Sequence, residues 1–415
     1  MIDFSYNRRD FLRAGGLGVG LSATPFSDIV FADEGLRTPN DKSVIWIWLG
    51  GGPTQFETFH APTDAVPDEF RPTSGLVTHS NGLAFGGLFE KLIQRGDKLT
   101  AVNSFTHGDS SHRQATHWVM TGHKNLKREQ TADSMYPGHG AIVSAVFGAN
   151  HPINGMPSYV KQGKIEGEQA AFLGGAYKPF DPSNKANLTP RIKIDRFKDR
   201  KNLLDLLDNT KRMIDGQAEA FSKISNQAYN VILGNAKDAF DLDKEPKDTK
   251  EKYGKGGIGD QLLLARRLAE SGTKFITVNY GGWDMHSTVQ KSLEGRVPPL
   301  DKALSALVDD IHDRGMAKNV LMVVTGEFGR TKLNSKSGRD HWPSISTLLL
   351  AGGDYEHGRV IGKSDRAYYP KEDPVGPIDI AATLFSHFNI PTELQRTDSG
   401  GRPRYLLEGD GKVIL

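Results

Sequence analysis

Cysteine is absent from this 415-residue chain. Its absence excludes disulfides, thiolate metal sites, a cysteine nucleophile and lipid attachment through cysteine. Charge bias is nearly absent too: the formal net charge is +2, with no basic tail and no acidic block. Nucleic acid therefore has no electrostatic footprint here and is not expected as a partner. No apolar run of membrane-spanning length follows residue 32, so the mature chain is expected to carry no transmembrane segment. A dinucleotide fingerprint is also missing. The early glycine run is Gly50-Gly51-Gly52-Pro53, and its proline blocks an ordinary Rossmann turn.

Glycine, by contrast, is plentiful, at 46 residues, which points to many tight turns and loops near ligands. With 37% hydrophobic and 25% charged residues, the chain has a globular composition. Residues 1–32 read as an export signal. Asn7-Arg8-Arg9-Asp10-Phe11-Leu12-Arg13 is a twin-arginine pattern, a weakly apolar stretch follows, and Val30-Phe31-Ala32 offers small residues for cleavage. The mature protein is expected to start near Asp33, as one domain over residues 33–415, and to be periplasmic or secreted.

Residues 44–49, 98–103, 275–280, 319–325 and 346–353 are short apolar runs that read as strands. Between them lie helical patterns at residues 112–120, 134–150, 200–213, 259–271, 298–314 and 377–387. Residues 241–257, charged and bearing Pro246, read as an exposed loop. Strand and helix alternate from end to end, which predicts an α/β fold with a mostly parallel sheet covered on both faces.

The chemistry-bearing residues fall just after the strands, at the edge where open α/β sheets bind ligands. Gly50-Gly51-Gly52 either exposes N–H groups to an anion or makes a tight turn, and Thr54 and Glu57 lie just beyond. His107, His112, His117 and His123 fall within seventeen positions of a chain holding 13 histidines. Ser110 or Ser111 stands at the expected N-cap of the helix starting at His112. Asp284 and His286 follow one strand, Glu327 and Arg330 follow another, and Arg339, Asp340 and His341 come soon after. Arg330 and Arg339 are of the type that grips an anionic ester; Arg330 equally suits a salt bridge to Glu327.

These motifs together resemble a bacterial family known as domain of unknown function 1501, grouped with the alkaline phosphatase and sulfatase superfamily. The resemblance rests on the twin-arginine start, Gly50-Gly-Gly-Pro-Thr-Gln55, Phe172-Leu-Gly-Gly-Ala-Tyr177, Ala265-Arg-Arg-Leu268, Gly282-Trp-Asp-Met-His286, Gly326-Glu-Phe-Gly-Arg-Thr331 and Gly338-Arg-Asp-His-Trp342. It implies a three-layer α/β/α fold of the alkaline phosphatase type, with divalent metal at the strand ends and hydrolysis of phosphate or sulfate esters. Matching the superfamily's order assigns metal ligation to Asp284, His286, Glu327 and His341, and catalytic roles to Ser111, His112 and Arg330. The chain departs from the superfamily at three places: glycines replace the aspartate after the first strand, Glu327-Phe328 replaces an Asp-His pair, and His112 stands near the nucleophile position, where it could instead substitute as a metal ligand. With that ligand set one divalent ion per chain is expected, whether zinc, calcium or magnesium. Its substrate would be an anionic ester of a small molecule or glycan. The competing expectation is a non-catalytic exported binding protein that keeps a degenerate site.

Overall fold

The computed structural model describes residues 41–124, 136–183, 236–398 and 400–415. The export signal and the helix expected over residues 200–213 lie outside the described residues, as does the start of the helix expected over 134–150.

A seven-stranded sheet organises the chain. Its strands are β1 (Ser43–Trp48), β2 (Thr100–Val102), β3 (Tyr159–Gln162), β4 (Phe275–Asn279), β5 (Val320–Thr325), β6 (Leu348–Gly352) and β7 (Arg359–Ile361), in the spatial order β7-β2-β6-β5-β1-β4-β3. β1 lies at the heart of the site-bearing half, parallel to both β4 and β5. Only β6 runs the other way, antiparallel to β2 and to β5. The sheet is thus mostly parallel. β1 is buried at every position, as a strand covered on both faces must be.

Helices cover both faces. Helices α4 (Gly257–Glu270) and α5 (Val289–Asp313) pack on one side, against Ile45, Ile47, Val278 and Val324. Helices α1 (His112–Thr121), α2 (His139–Phe147) and α6 (Pro377–Phe388) pack on the other, against Val44, Trp46, Phe275 and Leu348. Alternate side chains of β1 therefore feed two separate cores, and the fold is a three-layer α/β/α sandwich.

Two sequence expectations are corrected. Residues 241–257 are not simply an exposed loop: they hold helix α3 (Lys247–Tyr253). Tyr253 is buried and donates its hydroxyl to Asp310 Oδ2 at 3.1 Å, and Glu245 pairs with Arg266 at 2.6 Å. One aromatic, one buried ion pair and the partly buried Leu242 anchor a segment whose other side chains are mostly solvated, so average polarity hid it. The helix expected from residue 298 starts at Val289 and runs through Pro298 and Pro299. Proline breaks helices by removing an N–H and crowding the preceding turn. Here both prolines face solvent, while Val289, Leu293, Val297 and Leu300 keep one apolar stripe in the core across the interruption.

Candidate metal centre at the strand ends

Because β1, β4 and β5 are parallel neighbours, their C-terminal ends open on one edge. β1 runs out into Gly50-Gly51-Gly52, β4 into Gly281 to His286, and β5 into Glu327-Phe328. The loop after β2 reaches the same edge and starts α1 there, with Ser111 at its N-cap and His112 as its first residue. An antiparallel ribbon, Gly329–Leu333 with Arg339–Trp342, folds back over the edge and places His341 opposite Arg330.

The glycine loop is glycine for steric reasons. A Cβ on Gly51, whose φ is +115°, would lie 2.5 Å from the Asp284 nitrogen, and one on Gly52 would lie 2.5 Å from the Phe328 ring. The loop is not an open anion nest. The Gly51 N–H donates to Glu327 Oε1 at 2.8 Å, an anion supplied by the protein itself. The Gly51 and Gly52 carbonyls point to a cation instead, the Arg330 guanidinium.

Arg330 is buried and fully engaged. Nε donates to Gly52 O at 2.8 Å, Nη1 to Arg339 O at 2.9 Å, and Nη2 to Gly51 O and to Asp284 Oδ1, the last at 2.5 Å. Its main chain exchanges two further bonds with the Gln55 side chain, each of 2.8 Å. The arginine therefore neither grips an ester bidentately nor pairs with Glu327: it fixes Asp284 and the glycine loop. Arg339 is also corrected. It pairs with Glu57 at 3.1 Å, both fully buried, and lies over the Phe56 ring at 4.4 Å. That pair turns Glu57 away from the centre, and Thr54 is buried as well.

Around Asp284 stand three imidazoles, each held by an oxygen at Nδ1. His112 donates to Glu327 Oε1 at 2.7 Å, His341 to the Ser110 carbonyl at 2.8 Å, and His286 to Asp340 Oδ1 at 2.8 Å. An Nδ1 that donates to an oxygen leaves Nε2 as the nitrogen turned inward, and in a neutral ring that nitrogen carries the lone pair. These nitrogens lie 3.4, 3.2 and 3.0 Å from the Asp284 carboxylate for His112, His341 and His286, and the last two lie 3.1 Å from each other. The Arg330 guanidinium meets part of this cluster, at 2.5 Å from Asp284 Oδ1 and 3.4 Å from His286 Nε2, and leaves His112 and His341 facing the carboxylate without a cation of their own. One ligand atom from each of His112, Asp284 and His341 falls within 4.8 Å of the other two, a spacing that suits one metal ion. Imidazole and carboxylate suit a divalent ion of the zinc type, and an oxygen behind each imidazole is the usual support for a ligating ring.

Electrostatics follow from these contacts. Burial pushes the Asp284 carboxyl up, but the Arg330 guanidinium and His341 outweigh it and hold it at about 2. The Glu327 hydrogen bond raises the His112 imidazole, whereas burial lowers His341. Phe328, fully buried, packs its ring 4.5 Å from that of His341 and 4.9 Å from that of His112. It gives the centre an apolar wall.

A family model described as protein of unknown function (DUF1501) matches residues 41–415. The chain belongs to that family. No curated protein matches it. Among solved structures, the phosphonate monoester hydrolase SpPMH from Silicibacter pomeroyi is similar at 10% identity and a TM-score of 0.41, over 90% of this chain and 76% of that one. The PsFucS1 sulfatase from Pseudoalteromonas sp. is similar at 13% identity and a TM-score of 0.39, over 95% of this chain and 78% of that one. A protein in the alkaline phosphatase superfamily from Vibrio parahaemolyticus gives 11% identity and a TM-score of 0.40, over 86% and 68%. At these scores the likeness says nothing of activity.

The structure redistributes the residues singled out from sequence. Asp284, His286 and His341 come together as expected from their order. His112, assigned there to catalysis, joins the set as a ligand candidate. Glu327 stands behind His112 instead of beside Asp284, and its Oε2 is buried without a partner. Ser111 is exposed and makes no capping bond. Of the histidine cluster, only His112 faces the centre. His107 donates to the Glu327 carbonyl, while His117 and His123 are buried along α1 and just past its end. Sequence reasoning gave Asp340 no role and missed the Ser110 carbonyl. Asp340 stood inside the quoted Gly338–Trp342 motif, so its place beside His341 was a usable signal; a backbone carbonyl leaves none.

Proposed function

We infer that this chain is an exported, metal-dependent hydrolase of phosphate or sulfate esters, with one divalent ion per chain. The observation that carries the reading is the orientation of the imidazoles: three rings, each tied to an oxygen at Nδ1, present Nε2 to one carboxylate. A degenerate site has no need to hold three tautomers in register. His112, Asp284 and His341 would hold the ion, which supplies Lewis acidity toward an ester oxygen.

The remaining residues prepare that centre. Arg330 keeps Asp284 ionised and fixed. Glu327, Asp340 and the Ser110 carbonyl orient the rings, and Phe328 keeps water off one side. Ser111 is the hydroxyl this reading assigns to attack. It is exposed beside the N-terminus of a ten-residue helix, whose dipole favours a developing negative charge. The centre is half-open to solvent at Asp284 and His286, which leaves room for a bulky ester to approach. Export rests on the twin-arginine pattern at Arg8 and Arg9.

The test is hydrolysis of p-nitrophenyl phosphate, p-nitrophenyl sulfate and bis(p-nitrophenyl) phosphate by the mature chain loaded in turn with zinc, manganese, calcium and magnesium. Turnover with at least one ion, lost in His341→Ala, is expected. A preparation that holds one ion per chain yet cleaves none of the three would turn the reading to the non-catalytic binding protein.

A further inference from the structure

A second cavity lies on the same edge of the sheet, beyond the end of β2. It measures about 710 Å³, within the roughly 300–1,000 Å³ typical of small-molecule sites. One wall is Tyr368, whose carbonyl accepts the Nε1–H of Trp342, the residue after His341, at 2.9 Å. The residues that matter to its chemistry are His60, Asp64, Asn103, Ser364, Arg366 and Lys371. None of them belongs to the centre described above.

The cavity has a rigid wall. Asp365 Oδ1 accepts the N–H groups of Ala367 and Tyr369, each at 2.9 Å, and Asp365 N–H donates to the Tyr369 carbonyl at 2.9 Å. Within that loop Tyr368 has a φ of +61°, a left-handed conformation that a bulky side chain adopts only when its surroundings enforce it. The enforcement is aromatic. The Tyr368 ring lies 4.4 Å from Phe56, 5.3 Å from His60 and 5.9 Å from Phe70. Ser364 is positioned as well: its Oγ is 3.1 Å from His60 Nε2, and burial holds that imidazole down at about 3, so it stays neutral. Strain held in place around a pocket is the pattern of a pre-organised binding site.

The polar groups are of both signs. Lys363 is already paired with Glu372 at 2.8 Å, and the Asp365 carboxylate is turned into its own loop. That leaves Asp64 against Arg366 and Lys371. All three are exposed, and none of their side chains has a hydrogen bond or ion pair among the described residues. An acid and two bases lining one cavity make a poor trap for a lone inorganic anion, because Asp64 opposes it. The mixture suits a ligand whose groups donate and accept at once, and vicinal hydroxyls do both. Ser364 and Asn103 add neutral partners of the same kind.

We propose that this cavity, bounded by the Ser364–Tyr369 loop and by His60 and Asp64, is a binding site for a neutral, sugar-sized, hydroxyl-rich ligand. Asp64 accepts from one hydroxyl of a vicinal pair, and Arg366 and Lys371 donate to its neighbours. The site is separate from the metal centre and does not depend on it.

Saturation-transfer NMR on the mature chain, with a panel of common neutral mono- and disaccharides, tests this. At least one sugar is expected to show saturable transfer. Asp64→Asn and Arg366→Gln should each weaken it about tenfold, the cost of one hydrogen bond to a charged group. His341→Ala should leave it unchanged, and inorganic phosphate should not displace it. Both cavity variants change exposed side chains, and unchanged melting temperatures will show that they fold. The proposal is overturned if no sugar of the panel gives transfer, if both cavity variants bind like wild type, if His341→Ala abolishes binding, or if phosphate competes.

Discussion

Arg330→Gln separates a bracing arginine from a substrate-gripping one. The guanidinium is about 1% exposed and donates to three main-chain carbonyls, those of Gly51, Gly52 and Arg339, besides the Asp284 carboxylate. A glutamine amide has two N–H donors on a shorter stem, so at least one carbonyl and the carboxylate lose their partner. Each buried carbonyl left without a donor costs about 1–3 kcal/mol, and the void left by the longer side chain adds to that. Asp284 is half-exposed and recovers water, so its share is small. The sum is a destabilisation of about 3–5 kcal/mol. It should be read from urea unfolding of the metal-free chain, with an unchanged slope against denaturant. Arg330→Lys should fall between the two, since one ammonium meets fewer of the same acceptors. A glutamine variant as stable as wild type within about 1 kcal/mol, yet unable to bind an anionic ester, would refute the bracing role and restore the gripping one.

Other outcomes follow from the same contacts. Elemental analysis should find one divalent ion per wild-type chain and none in His341→Ala; Glu327→Gln, which loosens His112 from behind, should weaken binding by roughly 10–100-fold. Gly51→Ala places a Cβ 2.5 Å from the Asp284 nitrogen at a φ of +115°, so it should lower the melting temperature and abolish ion binding together. The fully buried His387 imidazole is held by burial at about 4. The unfolded chain therefore takes up its proton first: stability is full above about pH 6.5 and falls by roughly 3 kcal/mol from this group as pH drops toward 4. His387→Gln should flatten that part of a stability–pH curve, and an unchanged curve would contradict the assignment. Arg8→Lys with Arg9→Lys should leave unprocessed precursor inside the cell, as fractionation and immunoblotting would show.

The apolar runs at residues 44–49, 275–280 and 319–325 carried their own evidence, because a strand covered on both faces must be apolar throughout. Their alternation with helical patterns gave the layered fold. The residues just past each run gave the edge on which Asp284, His286 and His341 meet, since parallel strands all end on one side. Helix α3 and the first turns of α5 escaped that reading. A local pattern records average polarity and proline, whereas Tyr253, Glu245 and the Val289–Val297 stripe were decided by partners far away in the chain.

Roles within the centre belonged to the tertiary structure alone. Sequence order named His341, Asp284 and Glu327 but left open which of them face one another. Only the folded chain turns Glu327 behind His112, ties His286 to Asp340 and directs the donors of Arg330 to backbone, to Asp284 and to His286 Nε2. The physical reason is range. A strand or helix is specified by neighbours a few residues apart, so composition and spacing record it. A ligand's orientation is specified by hydrogen bonds across separations such as the 215 residues between His112 and Glu327, and no local pattern encodes those.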